Sequence, residues 1–352
     1  MMHEVTLSGR VERVLLAACA GDALGAATEG MHPDEIVEVF GGPVMMLSPP
    51  PPKAPFALGL APGSLTDDAT QMLVMARMLV ELDRAPTLAD AVEGLMTWAD
   101  DEEMFRRFAG PTTRLAVERL RGGTPPLEVA TPDVYSCTFG TSNGAAMRAP
   151  AAGCARIGDL AGAAELACLL AAPTHNTQIA YEGAGAVAAA VAAGLGGTSG
   201  GVSAIIDAGL DGASLGAAQA PVSGRLTGGV GVKRRLALAA EIGERFAGDM
   251  DGAVRELTEV IGNGVAMAEA VPHAFGLVAA AEGDPWKAIV AAVNGGNDSD
   301  TIAMIAGAIA AAWWPDDAVP TGIANTVKTV NDLDLAPVAA GLVALGKAGK
   351  AR

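Results

Sequence analysis

The chain has 352 residues, 51% hydrophobic, 18% charged and 4% aromatic, with 40 acidic against 23 basic side chains and a formal net charge of −17. A sequence this apolar buries enough surface for a large core, which excludes disorder, and its length accommodates one large domain or two ordinary ones. The acidic balance argues against nucleic acid and anionic membranes, both polyanions, and makes a cation the more natural partner.

In chain order, Val11, Val14, Leu15 and Ala18 share one face at helical spacing and predict a first helix. Leu16-Ala17-Ala18-Cys19 resembles a lipoprotein cleavage box, but the apolar run begins only at Val14, short of the ~7–15 residues a signal core needs, with Glu4 and Glu12 upstream. Pro33, Asp34 and Glu35 open a short helix that Gly41 and Gly42 stop. Pro49 to Pro52 form a rigid extended segment, but too short a stretch precedes it for an independent core. It reads as a loop within a single domain spanning residues 1–352.

Met72, Met75, Ala76, Leu79 and Val80 repeat the helical period, and Thr87 with Asp90 has the spacing of a capping box. The longest uncharged run, Gly183 to Ile206, exceeds the ~20 residues that cross a bilayer. Its alanines and glycines, with Gly196-Gly197-Thr198-Ser199-Gly200-Gly201 in the middle, instead predict a small-residue helix, a loop and the start of another helix. Gly183, Gly185 and Ala188 imitate part of a dinucleotide fingerprint in a helical context, where it carries no phosphate-binding turn. Leu238, Ala239, Ile242 and Phe246 give a further helix, and no segment alternates as a strand would. Cys19, Cys137, Cys154 and Cys168 lack CxxC spacing, so buried thiols are expected rather than disulfides or a zinc knuckle. These features together predict a cytoplasmic protein of many tightly packed helices.

Two segments concentrate acid at helix starts: Thr66-Asp67-Asp68 before the Met72 helix, and Asp298-Ser299-Asp300-Thr301 before the apolar run Ile302 to Trp314. Asp and Thr at such positions cap orphan amides and complement the helix dipole. Paired aspartates beside a hydroxyl also offer several hard oxygen ligands suited to Mg²⁺ or Mn²⁺. The spacing permits either use. If the clusters meet in space, their charges either raise one another's pKa or require a cation between them.

Three further segments complete a pattern: Gly21-Asp22-Ala23-Leu24-Gly25 with Glu29, Thr141-Ser142-Asn143-Gly144-Ala145-Ala146-Met147-Arg148, and Thr174-His175-Asn176. With the two acidic clusters, in this order between Gly9 and Trp314, they resemble the ADP-ribosylglycohydrolase family, which includes the dinitrogenase-reductase-activating glycohydrolases. The resemblance implies an all-α fold, a compact bundle of orthogonally packed helices around a cleft holding two divalent cations, Mg²⁺ or Mn²⁺. It implies that Thr66, Asp67, Asp68, Asp298, Asp300 and Thr301 are the metal residues, and that Glu29 is the acid beside metals and substrate. Ser142, Asn143, Gly144 and Ala145 match a loop along the substrate's phosphates or ribose, His175 a cleft residue, and Asp22 a residue of mainly structural role. Asp67 or Glu29 is then the group that activates water. Arg148 is expected to pair with an internal acid or a carbonyl.

Two departures stand out. Ala69 occupies a place where the family usually has threonine, and Phe108-Ala109-Gly110-Pro111-Thr112-Thr113 lacks an aspartate found before the glycine in members acting on ADP-ribosyl-arginine. The implied activity is hydrolysis at the ribose anomeric carbon of an ADP-ribosylated protein or ADP-ribosyl metabolite. Hydrolysis of a smaller ribosyl compound such as a nucleoside, and a non-catalytic binding or structural role, are the alternatives.

Overall fold

A computed structural model describes residues 6–349. Its helices are α1 (Leu7–Gly25), α2 (Pro33–Phe40), α3 (Asp67–Glu81), α4 (Leu88–Ala99), α5 (Glu102–Phe108), α6 (Pro111–Arg121), α7 (Pro126–Val129), α8 (Ala149–Ala155) and α9 (Leu160–Ala171). They continue as α10 (Gln178–Leu195), α11 (Gly201–Ser223), α12 (Val232–Arg245), α13 (Met250–Val260), α14 (Met267–Ala280), α15 (Pro285–Gly295), α16 (Ser299–Trp313), α17 (Thr321–Val330) and α18 (Ala336–Gly349). A single 3-10 turn, Asn143–Ala145, precedes α8, and the described residues contain no strand. The protein is all-α.

Local chemistry sets most boundaries. His32 caps α2, Pro33 occupies its first turn, and Gly41 ends it in the left-handed region at φ 76°. Thr87 N and Oγ1 both donate to Asp90 Oδ2, at 2.7 and 2.6 Å, at the start of α4. The run from Gly183 to Ile206 is the body of α10, a loop and the first turns of α11. Although α10 is apolar and long enough to cross a membrane, its residues are packed inside the fold against α8, α9, α11 and α16.

Few aromatics and many small residues mean that helices meet backbone to backbone. A Cβ built on Gly212 would lie 2.3 Å from Gly185 O, and one on Gly216 would lie 2.0 Å from Tyr181 O, so α10 and α11 are in direct main-chain contact. The α1–α16 pair is equally close: a Cβ on Gly21 would lie 2.4 Å from Ala303 O. Such contact maximises dispersion per residue and leaves no room for one added methyl group. The buried apolar side chains form one continuous cluster from Val11 to Val343. Cys19, Cys154 and Cys168 are buried thiols within it, whereas Cys137 lies on an exposed loop, against the expectation from composition.

Candidate active site

The two acidic segments meet. Thr66 is the N-cap of α3; its Oγ1 accepts from Asp68 N (3.3 Å) and donates to Asp22 Oδ1 (2.7 Å). Asp22, in the last turn of α1, also accepts from Thr66 N (3.0 Å) and Ala69 N (3.2 Å), so it caps α3 from a different helix. From the other segment, Thr301 Oγ1 donates to Asp68 Oδ1 at 2.8 Å across 233 residues of sequence. One carboxylate oxygen each from Asp22, Asp68 and Asp300 lie within 4.8 Å of one another, and all three residues are buried.

Capping explains Thr66 and not the rest. Asp298 stands at the N-cap position of α16 yet makes no capping bond; its Oδ2 accepts instead from Asn143 Nδ2. Asp68 spends its oxygens on Thr301 and Thr66 rather than on orphan amides.

Close backbone packing delivers α16 to this place. A Cβ on Gly25 would lie 2.4 Å from Asp300 Cα, so the end of α1 rests directly on the first turn of α16. Thr28 Oγ1 bonds Ser299 Oγ (3.0 Å) and Val293 O (2.8 Å), and Ser299 Oγ donates to Gly25 O (3.0 Å). The turn before α16 needs positive φ at Gly296 (66°) and Asn297 (55°). It is held by Asn297 N donating to Met31 O (2.9 Å) and by Asn263, which bonds both Gly295 O and the Asn297 side chain. This turn sets Asp298 beside the segment carrying Glu29.

Above the acids is a cavity of about 210 Å³, lined by Glu29, Asp67, Asp68, Asp298, Asp300 and Thr301, by Ser142, Asn143, Gly144 and His175, and by Phe56, Phe108, Gly110, Pro111, Thr112, Thr113, Met147 and Val265. No lysine or arginine is among them. Thr66 is buried beneath this surface, and Ala145 belongs to the core behind the loop; neither lines the cavity. Gly144 lies flat against His175, where a Cβ would meet the ring Cε1 at 2.8 Å. Ala69, in place of threonine, is buried, and its amide serves Asp22.

The electrostatics follow from burial of like charges. Desolvation, then the Asp68 charge, raises Asp22 to about 7. Desolvation with Asp298 and Asp68 raises Glu29 to about 8, and desolvation with Asp68 raises Asp298 to about 8. Asp68 itself reaches only about 6, because hydrogen bonds from Thr301 and Thr66 stabilise its charge against desolvation. Asp67 and Asp300 are pushed well above the ordinary carboxylate range, chiefly by burial.

The sequence model of ADP-ribosylglycohydrolase matches residues 3–350. The chain belongs to the ADP-ribosylglycohydrolase family. It is 30% identical over 329 residues to the uncharacterized protein YegU of Escherichia coli (strain K12), covering 92% of this chain and 93% of that one. It is 28% identical over 296 residues to an uncharacterized protein of Archaeoglobus fulgidus, covering 84% of each. It is also similar in structure to an ADP-ribosylglycohydrolase-related protein complex, with a TM-score of 0.68 and 20% identity over 97% of this chain and 99% of the other, a likeness of fold.

For this member of the ADP-ribosylglycohydrolase family, sequence reasoning under-used Asp22, whose carboxylate both caps α3 and joins Asp68 and Asp300. The available signal was Gly21 and Gly25: spaced four apart on one helix face, they mark where another backbone comes close. Asn263 and the aromatic rim of Phe56 and Phe108 carried no pattern of their own. Arg148 takes the carbonyl of Leu170 at 3.3 Å, as expected, and no acid directly.

Proposed function

We propose that the protein is a divalent-metal-dependent glycohydrolase that cleaves the bond at the ribose anomeric carbon of an ADP-ribosyl substrate. The observation that carries this reading is a set of five carboxylates around one cavity with no lysine or arginine in its wall. Five like charges this close are tolerated only as neutral acids or around cations.

The donor set fits hard divalent ions. It consists of carboxylate and hydroxyl oxygens, with three carboxylates from three chain segments converging within 4.8 Å and neither a thiol nor an imidazole among them. Asp22, Asp68 and Asp300 would hold one Mg²⁺ or Mn²⁺, and Asp298 and Thr301, with one of Asp67 and Glu29, would supply ligands for a second, leaving the other carboxylate free as the base. Bound there, the cations supply Lewis acidity toward ribose hydroxyls and a water of lowered pKa.

The chain's own groups divide the remaining work. Asp67 and Glu29 line the cavity outside the Asp22–Asp68–Asp300 triad and are the carboxylates to orient the attacking water and accept its proton. A carboxylate left ionised beside the anomeric carbon would favour the oxocarbenium character that develops there. Ser142, Asn143 and Gly144 line the same cavity, where they would meet the substrate, Asn143 bonding Asp298 and His175 bonding Ser142. Ala109, where arginine-directed members carry an aspartate, leaves the rim to Phe108 and supports a substrate other than ADP-ribosyl-arginine.

The volume of about 210 Å³ favours a second reading, hydrolysis of a smaller ribosyl compound, since it accommodates a ribosyl-sized group rather than a whole ADP-ribose. Thermal shift in millimolar Mg²⁺ with ADP-ribose or with free ribose separates the two. Stabilisation by ADP-ribose, absent with ribose and abolished by EDTA, supports the first reading; stabilisation by ribose alone supports the second. Full hydrolytic activity in EDTA-stripped protein would refute both.

A further inference from the structure

Behind the Ser142–Gly144 loop runs a chain of buried side chains that the hydrolytic reading leaves unused. Arg148 is completely buried. Its Nε donates to Gln71 Oε1 (2.9 Å) and its Nη1 to Thr174 Oγ1 (2.9 Å). Its Nη2 has no hydrogen-bond partner among the described residues. Gln71 Nε2 then donates to Asp67 Oδ2 at 3.2 Å. On the other side, Thr174 Oγ1 lies 2.7 Å from His175 Nδ1, and His175 Nε2 lies 2.7 Å from Ser142 Oγ. A continuous path therefore joins the Asp67 carboxylate to the Ser142 hydroxyl, and both ends line the same cavity.

A guanidinium only donates, which gives the path a direction. Because Arg148 Nε donates to Gln71 Oε1, the Gln71 amide is oriented with its NH₂ toward Asp67, holding one oxygen of that carboxylate. Because Arg148 Nη1 fills one acceptor position of Thr174 Oγ1, the single proton of that hydroxyl has two acceptors in reach. These are His175 Nδ1 at 2.7 Å and Ala171 O at 3.3 Å. The shorter contact, together with the Arg148 charge 2.9 Å from Thr174 Oγ1, which disfavours a proton on Nδ1, directs the hydroxyl proton to Nδ1. His175 is neutral, since burial and then the Arg148 charge lower its pKa to about 3. An imidazole that accepts at Nδ1 must carry its proton on Nε2, so His175 donates to Ser142 Oγ. The Ser142 proton is thereby left for a partner in the cavity.

We infer that Arg148 is a positioning residue that fixes the direction of every hydrogen bond between Asp67 and Ser142, so that Ser142 faces the cavity as a donor to an acceptor oxygen of the substrate. The use of that donor rests on the cavity being the substrate site proposed above; the His175 tautomer does not. This arrangement accounts for a buried arginine without a carboxylate partner, which is otherwise a costly residue to retain.

The test is the tautomer of His175, read from two-bond ¹H–¹⁵N correlations of histidine-labelled protein and assigned by the signal lost in His175→Gln. The expected spectrum is a neutral ring protonated at Nε2. A ring protonated at Nδ1, or an imidazolium at neutral pH, overturns the inference. Arg148→Met is expected to admit the second tautomer, because the cation beside Thr174 that disfavours a proton on Nδ1 is removed, while Arg148→Lys keeps the charge and the wild-type spectrum. A pure Nε2-protonated ring in Arg148→Met removes Arg148 from the argument. Should Arg148→Met not fold, the wild-type spectrum still decides the direction of the path. With ADP-ribose as the probe in Mg²⁺, Thr174→Val is expected to weaken binding about tenfold, the loss of one oriented hydrogen bond, and Thr174→Ser to restore it. Equal affinity in Thr174→Val overturns the binding role. If wild-type protein does not bind ADP-ribose, the substrate reading fails while the spectrum still judges the path.

Discussion

Replacing Gly25 by alanine probes the link between helix packing and the acidic site. The new Cβ would sit 2.4 Å from Asp300 Cα, 2.5 Å from Asp300 N and 2.6 Å from Ser299 C. All three are backbone atoms, so no side chain can swing aside. Ordinary contact begins near 3.4 Å, and the first turn of α16 must therefore retreat by about 1 Å, at a cost of about 1–3 kcal/mol for overpacking. For a chain of this length that is about 1–4 °C in Tm. The site is more demanding than the fold, because metal ligands tolerate displacements of only about 0.2 Å. Asp300 moves with its backbone, and divalent-cation affinity is expected to fall about 10–100-fold, the range for disturbing the support of a metal ligand. Isothermal titration of Mg²⁺ and Mn²⁺ into EDTA-stripped protein measures this. Gly216→Ala is the control: its Cβ would meet Tyr181 O at 2.0 Å, an equally severe clash between α10 and α11 away from the acids. It should lose comparable stability and keep its cation affinity. Wild-type cation affinity in Gly25→Ala would refute the reasoning, as would an equal loss in Gly216→Ala.

Three other outcomes are expected. Metal-free protein should lose stability as pH rises from about 5 to about 8. Carboxyl groups raised above their unfolded values stabilise the fold only while protonated, and that contribution disappears through the folded values of about 6 for Asp68, about 7 for Asp22 and about 8 for Glu29 and Asp298. Thermal melts in EDTA should show the fall and millimolar Mg²⁺ should reverse it; a flat profile in EDTA contradicts the site's electrostatics. Asp68→Asn removes the charge shared by most of these repulsions, so metal-free protein should gain about 1–3 kcal/mol near pH 8 and lose its cation-induced rise in Tm. A variant less stable than wild type in EDTA at that pH counts against the repulsion. Gly144→Ala forces a methyl group to within 2.8 Å of the His175 ring, which is buried and held at both nitrogens, so titration with ADP-ribose in Mg²⁺ should show weaker binding alongside an overpacking loss of about 1–4 °C in Tm. Unaltered affinity would show that the loop does not touch the ligand.

The helices were legible because their signals are local. Pro33 and Gly41 bracket α2, Thr66 caps α3, and the glycine-rich interruption between α10 and α11 falls where composition put it. The acidic segments were legible as residue types, and their pattern alone favoured capping over metal binding, although both need oxygen atoms at a helix start. Asp298 departs from the capping reading, because it is an N-cap residue whose carboxylate caps nothing. Cys137 was misjudged for the same reason in reverse: its residue type favours burial, but its loop is exposed.

By itself, the sequence determined an acidic, small-residue, helical chain and the groups able to bind a hard cation, since propensity, capping and ligand chemistry are properties of a few neighbouring residues. Only the tertiary structure decided that Asp22, Asp68 and Asp300 share one space, that Thr301 bonds Asp68, and that Arg148 links Asp67 to Ser142. The Thr301–Asp68 bond alone spans 233 residues, and the site depends on two backbones approaching at Gly25, a distance set by the packing of whole helices and written in no local pattern.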